Sequence, residues 1–172
     1  MKKSLNFNTL ETARLIAHLP HLDFLDNYST MLADAAFINC YGIYFTRQQA
    51  EERLLSDIND WQEHGFAPWM WRDKITGEYV GRAGLKICEI EGRKEIELAY
   101  AIEKKFWGQG LAHEMGLAAI EFGKSMGLQN LVCFTLTKNI QSQRVMEKCG
   151  FQYERDFLHR DLPHKLYKLG TI

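Results

Sequence analysis

Two glycines separated by one residue stand where the chain's pattern changes, in Phe106-Trp107-Gly108-Gln109-Gly110-Leu111-Ala112. Upstream, residues 95–102 alternate as a strand does: Ile96, Leu98, Tyr100 and Ile102 share one face, and Glu95, Glu97, Ala99 and Ala101 the other. Downstream, residues 111–126 read as a helix ended by Gly127. The first N–H groups of such a helix have no internal partners, and its dipole favours negative charge there. Glycine at 108 and 110 opens positive φ and lets an anion approach the backbone, and Lys105 adds a cation nearby. The chemistry that suits these residues is binding of a phosphate or pyrophosphate. A turn that merely opens a helix fits the loop equally well.

Other chemistries are excluded by spacing. The loop lacks the G-x-x-x-x-G-K-[ST] of a P-loop, and His113 stands at the third glycine of G-x-G-x-x-G. His113-Glu114 opens a zincin pattern, but Leu117 occupies the place of its second histidine, so no metal is expected. Cys40, Cys88, Cys133 and Cys149 form no C-x-x-C pair and read as reduced, buried thiols, with Cys149 beside Gly150 the one expected to be partly exposed.

The elements that must hold the loop can be laid out around it. Residues 12–19 read as a first strand, ended by Pro20, and residues 22–36 as an amphipathic helix. Thr46 with Gln49 forms a capping box for a second helix, which Gly65 ends. Residues 68–73 and 79–87 pair through a turn, and 91–94 form another turn before the 95–102 strand. Residues 131–137 are almost all apolar, as at a sheet centre. A helix over 141–148 stops at Gly150, and strands over 151–157 and 165–169 finish the chain. This order argues for a single α+β domain over residues 1–172.

Bulk properties agree. With 172 residues, 46% hydrophobic and 25% charged, the chain can bury a real core. A net charge of −1 argues against nucleic acid as a partner. No signal peptide and no run long enough to span a bilayer is seen, so the expected location is the cytoplasm, without membrane association.

With these residues in view, the chain resembles the GNAT superfamily of N-acetyltransferases, whose pyrophosphate loop reads [QR]-x-x-G-x-[GA] before a helix. Lys105-Phe106-Trp107-Gly108-Gln109-Gly110 matches, with Lys105 replacing the usual Gln or Arg. Glu97-Leu98-Ala99-Tyr100 followed by Trp107 to Glu114 looks like the branch of ribosomal-protein N-terminal acetyltransferases (RimJ/RimL-like), which reads E-[IL]-G-Y and W-G-x-G-x-A-x-E; Ala99 departs from the glycine. Asn139-Ile140-Gln141-Ser142 through Glu147-Lys148-Cys149-Gly150-Phe151 is similar to the branch's N-x-x-S-x-x-[VL]-[ML]-E-K-x-G-F, and Thr12-Ala13-Arg14-Leu15 to its opening T-x-R-L.

The resemblance implies a three-layer α+β fold: a mixed, mostly antiparallel sheet with two central strands splayed apart and helices on both faces. It implies acetyl-CoA as co-substrate and a primary amine as acceptor, either a peptide N-terminus or a small amine such as a polyamine or aminoglycoside. Backbone N–H groups of Trp107, Gly108, Gln109, Gly110, Leu111 and Ala112, with Lys105, would take the pyrophosphate. Tyr100, Ala101 and Ile102 would pair with the pantetheine arm, as an added strand does. Asn139 would contact the pantetheine or serve as a helix N-cap. Glu97 is the candidate base for the amine. Many relatives carry a tyrosine acid on the last helix; here that place is Met146, so Ser142 is the candidate donor to the sulfur. Phe66, Trp69, Trp71 and residues 41–45 read as core or as acceptor cleft, and His159, His164 and Tyr167 as residues that could reach it. The alternatives are a non-catalytic acyl-CoA-binding module of the same fold and, from another class, a nucleotide-binding protein. A monomer or a homodimer is expected.

Overall fold

The computed structural model describes residues 9–170. Its strands are β1 (Thr9–Glu11), β2 (Leu15–His18), β3 (Trp69–Asp73), β4 (Tyr79–Ile90), β5 (Arg93–Ile102), β6 (Leu131–Leu136), β7 (Gln152–His159) and β8 (Leu162–Lys168). Its α-helices are α1 (Leu25–Ala33), α2 (Ala35–Tyr41), α3 (Arg47–His64), α4 (Leu111–Ser125) and α5 (Ile140–Lys148). The strands form one sheet in the order β1-β2-β3-β4-β5-β6-β8-β7, antiparallel at every junction except β5–β6, which is parallel.

Local chemistry explains most boundaries. Thr46 accepts from the Gln49 N–H while the Gln49 side chain accepts from the Thr46 N–H, so α3 starts with the expected capping box, and Gly65 closes it at φ 74°. The strand expected over 12–19 starts only at Leu15, because Thr12 turns the chain: its hydroxyl accepts from the Leu15 N–H at 3.1 Å and its N–H donates to the Leu15 carbonyl at 2.9 Å. The helix expected over 22–36 breaks at Asp34, whose extended backbone and carboxylate cap a separate helix, α2, by accepting from the Ala36 and Phe37 N–H groups. The final hairpin is tighter than expected: Arg160 and Asp161 both take positive φ, 51° and 60°, as a two-residue turn of the primed kind requires.

Alternation along β5 assigns the layers. Leu98 and Ile102 pack in one core with Leu111, Met115 and Met146 of α4 and α5. Ala101 packs in a second core on the opposite face, with Tyr28 and Leu32 of α1 and Leu54 of α3. Helices therefore cover both faces of the sheet. Deep in the second face, Asp57 of α3 accepts from Arg82 of β4 at 2.6 and 2.7 Å. Burial alone would raise the Asp57 carboxyl; Arg82 and Lys86 overcome it and hold the group below the usual range. Removing one partner of such a buried pair costs about 3–5 kcal/mol. Cys149 is buried, against expectation, because α4 and α5 approach closely at Gly116, where a Cβ would lie 2.9 Å from the Cys149 sulfur; burial pushes the thiol up to about 11. Cys40 and Cys88 are the partly exposed thiols. Among the described residues no helix is long and apolar enough to cross a membrane.

Candidate active site

A row of amides opens α4. Gly108 and Gly110 adopt positive φ, 74° and 78°, and turn the chain so that the N–H groups of residues 108–113 meet no acceptor among the described residues. A Cβ on Gly108 would meet no atom within 4 Å, so the space beside this turn is open. Three groups set the loop. Thr12 donates its hydroxyl to Glu114 Oε1 at 2.5 Å, Arg14 donates its Nε to Glu114 Oε2 at 2.7 Å, and Arg14 Nη1 donates to the Gln109 carbonyl at 2.9 Å. Two expected contacts move elsewhere. The Trp107 N–H closes the preceding turn onto the Lys104 carbonyl at 3.1 Å. Lys105 pairs with Glu78 at 2.8 Å and Glu103 at 3.5 Å, so its charge is already matched by carboxylates.

Beside this row the sheet divides. β5 and β6 are paired only at Ile96↔Leu131 and Glu97↔Val132, and the strands part beyond Glu97. Along the parted edge, the Leu98 carbonyl accepts from the Cys133 thiol at 3.1 Å and the Ile102 carbonyl from the Trp107 indole N–H at 2.8 Å. Between them, the Tyr100 carbonyl accepts from the Tyr41 hydroxyl. A strand residue turns its N–H and C=O to the same side, so Leu98, Tyr100 and Ile102 face the gap. Ala101 does not: its carbonyl lies against Gly81 of β4, and its neighbour in phase, Glu103, donates to the Val80 carbonyl at 2.9 Å. Of the three residues expected to meet a ligand strand, Ala101 therefore has its backbone engaged in the sheet.

The start of α5 forms the facing wall. Asn139 caps the helix, accepting from the Ser142 N–H at 3.2 Å, and its Nδ2 donates to the Cys40 carbonyl at 3.4 Å. Its side chain is thus occupied structurally. Ser142 Oγ lies 2.7 Å from the Tyr100 hydroxyl, which also donates to the Ser142 carbonyl at 3.1 Å. Met146 is buried in the core, so the phenol on this wall comes from β5. Burial pushes the Tyr100 phenol well above its ordinary value, so it stays a proton donor.

Two cavities meet at this gap. One, about 310 Å³, runs along the loop and α5 and is lined by Trp107, Gly108, Gly110 and Leu111. The other, about 380 Å³, lies on the α1–α3 face and holds Glu97. Tyr41, Tyr100 and Ser142 border both. Desolvation raises the Glu97 carboxyl above the ordinary glutamate range, against the pull of Arg82, Arg53, Lys86 and Arg160. Tyr41, Ile43 and Phe45 line this second cavity, as do His159 and His164, whereas Phe66, Trp69, Trp71 and Tyr167 belong to the core. Burial first, then Arg160, lowers both histidines, favouring their neutral forms.

Sequence reasoning missed Arg144 and Lys148, which line the loop-side cavity from α5 together with His113 of α4. Their i, i+4 spacing marks a shared helix face, and that was the available signal. It also passed over Arg53, whose place on the polar side of α3 reads as solvated surface.

Comparison with known proteins agrees with this geometry. Residues 14–152 match the model of the acetyltransferase (GNAT) domain. The chain is 24% identical over 142 residues to the uncharacterized protein YkkB of Bacillus subtilis, covering 82% of this chain and 83% of that one. A GnaT-family acetyltransferase structure from Bordetella pertussis, itself of provisional function, superposes with TM-score 0.80 at 24% identity, over 93% of this chain and 98% of that one. A structure described as a ribosomal-protein-serine acetyltransferase from Vibrio cholerae, also provisional, gives TM-score 0.71 at 20% identity, over 94% and 96%.

Proposed function

The chain belongs to the acetyltransferase (GNAT) domain family, and from that premise we propose that it transfers an acetyl group from acetyl-CoA to a primary amine by direct attack on the thioester. The observation that carries this reading is the parting of β5 from β6 immediately beside the amide row that opens α4. A pyrophosphate fits the row, where Gly108 leaves open space and where Arg14 lies 3.7 Å from a Cβ built on Gly110. Arg144 and Lys148 add positive charge along the same cavity. The pantetheine arm fits the gap as an added strand against Tyr100 and Ile102.

The chain's own groups then divide the reaction. Glu97 takes a proton from the ammonium so that the neutral nitrogen attacks the thioester carbonyl carbon. Gap-facing N–H groups of β5 hold the oxyanion that forms. As the C–N bond is kept and the C–S bond breaks, the Ser142 hydroxyl, paired with the Tyr100 phenol, gives a proton to the departing sulfur and is reprotonated by the second proton that the acylated nitrogen sheds, leaving the amide and the coenzyme A thiol. The N-terminal motif likeness to the ribosomal-protein branch supports a peptide N-terminus as one class of acceptor, with a small amine the other.

Release of coenzyme A thiol from acetyl-CoA, followed across a panel of amines, tests the proposal. Amine-dependent release with one N-acetylated product per thiol is expected. Coenzyme A raising the melting temperature while no amine speeds thiol release would instead identify a binding module without catalysis.

A further inference from the structure

The cavity around Glu97 carries more charge than an amine needs. Four cations line it, Arg53, Arg82, Lys86 and Arg160, with Glu97 and Glu89 the carboxylates in its wall. Two of the cations are already matched from behind: Asp57 holds Arg82, and Asp57 and Asp60 lie 3.2 and 3.5 Å from Lys86. Glu89 is exposed to solvent. Among the described residues, neither Arg53 nor Arg160 has a carboxylate partner, and no ion pair joins either of them to Glu97.

Arg53 is nonetheless held in place. Its Nε donates to the Tyr28 hydroxyl at 3.2 Å, and its guanidinium stacks over the Phe45 ring at 4.7 Å. Its two terminal nitrogens make no hydrogen bond to any described residue. A fixed guanidinium with its outer donors open is the arrangement that takes a carboxylate or phosphate through paired N–H···O bonds. Arg160, at the tip of the β7–β8 hairpin, is an exposed second cation at the mouth of the same cavity.

We infer that the acceptor is a primary amine that also carries an oxyanion, the amine facing Glu97 and the anion held by Arg53 and Arg160. The inference rests on the acetyl-transfer reading and specifies its substrate. A zwitterion places each charge opposite its complement in this cavity. A diamine would set its second ammonium against Arg53 and Arg160, and a like-charge juxtaposition in a confined site disfavours binding.

Matched pairs of amines test this on the full chain: lysine against cadaverine, which lacks only the carboxylate; phosphoethanolamine against ethanolamine; and a short peptide against its C-terminal amide. Thiol release and calorimetric binding to the coenzyme A complex are both measured. The anionic member of at least one pair is expected to be favoured ten-fold or more, and which pair it is separates carboxylate from phosphate and free amine from peptide. Arg53→Gln should raise KM for that member and cut the preference at least five-fold, Arg160→Asn should cut it less, and Arg53→Lys should restore part of it. Binding that discriminates without turnover overturns the transferase reading and, with it, the inference that the bound amine is an acceptor. Turnover with no preference, or with the diamine preferred, overturns the inference and leaves the transferase reading standing. Absence of both binding and turnover for every pair overturns both.

Discussion

Arg14 and Glu114, 100 residues apart in the chain, meet at 2.7 Å, and Arg14 also holds the Gln109 carbonyl at 2.9 Å. The opening T-x-R-L segment and the W-G-x-G-x-A-x-E segment are thus two halves of one clasp that fixes the amide row of α4. Thr12 completes it with a hydrogen bond to the same carboxylate.

The clasp predicts an acid-sensitive fold. Burial alone would raise the Glu114 carboxyl, but hydrogen bonds from Thr12 and Arg14 outweigh it and hold the group below the ordinary glutamate range. A depressed carboxyl stabilises the fold above its unfolded value and loses that contribution as pH falls through the folded one. Glu114→Gln should cost about 1 kcal/mol at pH 7, kept modest because Arg14 is half-exposed. The difference from wild type should shrink as pH falls through the depressed folded value of Glu114 and vanish below it. Urea unfolding at several pH values checks this; a cost that persists in acid would show that the pair contributes shape rather than charge.

Gly108→Ala separates ligand binding from folding. The new methyl meets no protein atom within 4 Å but sits where the phosphate should approach. Positive φ costs an alanine about 1 kcal/mol. KM for acetyl-CoA should rise about ten-fold or more, while the melting temperature falls by only about 2–4 °C. An unchanged KM would remove this turn from the site.

Much of this was readable in the residues, for physical reasons that differ by position. The α3 capping box, the positive-φ glycines and the α4 start are local effects, decided within four or five residues, and they stand as expected. The parting of β5 from β6 is long-range, and only the family resemblance pointed to it. The break at Asp34 was hidden because aspartate fits both an exposed helix position and an N-cap, and the apolar spacing continues past it. Lys105 and Ala101 are right in type for ligand contacts, yet Glu78 and β4 occupy them, a competition between partners that sequence cannot reveal. For Asn139 the residue type offered both a ligand contact and an N-cap, and the side chain caps α5. Arg53 failed to stand out for the converse reason: its significance lies in what it does not pair with.

Glu97→Gln should separate activity from stability. As the candidate base, Glu97 is expected to contribute about 10²–10⁴ in rate, so kcat/KM should fall on that scale and its acid limb should disappear. Stability should move the other way. A carboxyl raised by burial binds its proton more tightly when folded, so stability declines as pH climbs from the unfolded value through the raised folded one. The glutamine variant should therefore be at least as stable as wild type at pH 8. Retained activity with an intact acid limb would transfer the role of base to another group.

Tyr41→Phe probes the gap itself. The Tyr41 hydroxyl engages the Tyr100 carbonyl, which a pantetheine amide would otherwise use, and phenylalanine preserves the stack on Phe37 at 4.0 Å. Freeing one hydrogen-bonding group is worth about 1 kcal/mol net, so coenzyme A should bind about five-fold more tightly, as titration calorimetry can measure. Weaker binding would mean that the hydroxyl itself holds the ligand.

Amide hydrogen exchange with and without coenzyme A reaches the central claim most directly. Protection should appear at the N–H groups of residues 108–113 and at Tyr100 and Ile102, and not at Ala101, which already faces β4. Coenzyme A that binds while leaving those amides exchanging at their free rates would contradict a ligand laid across the parted strands and the start of α4.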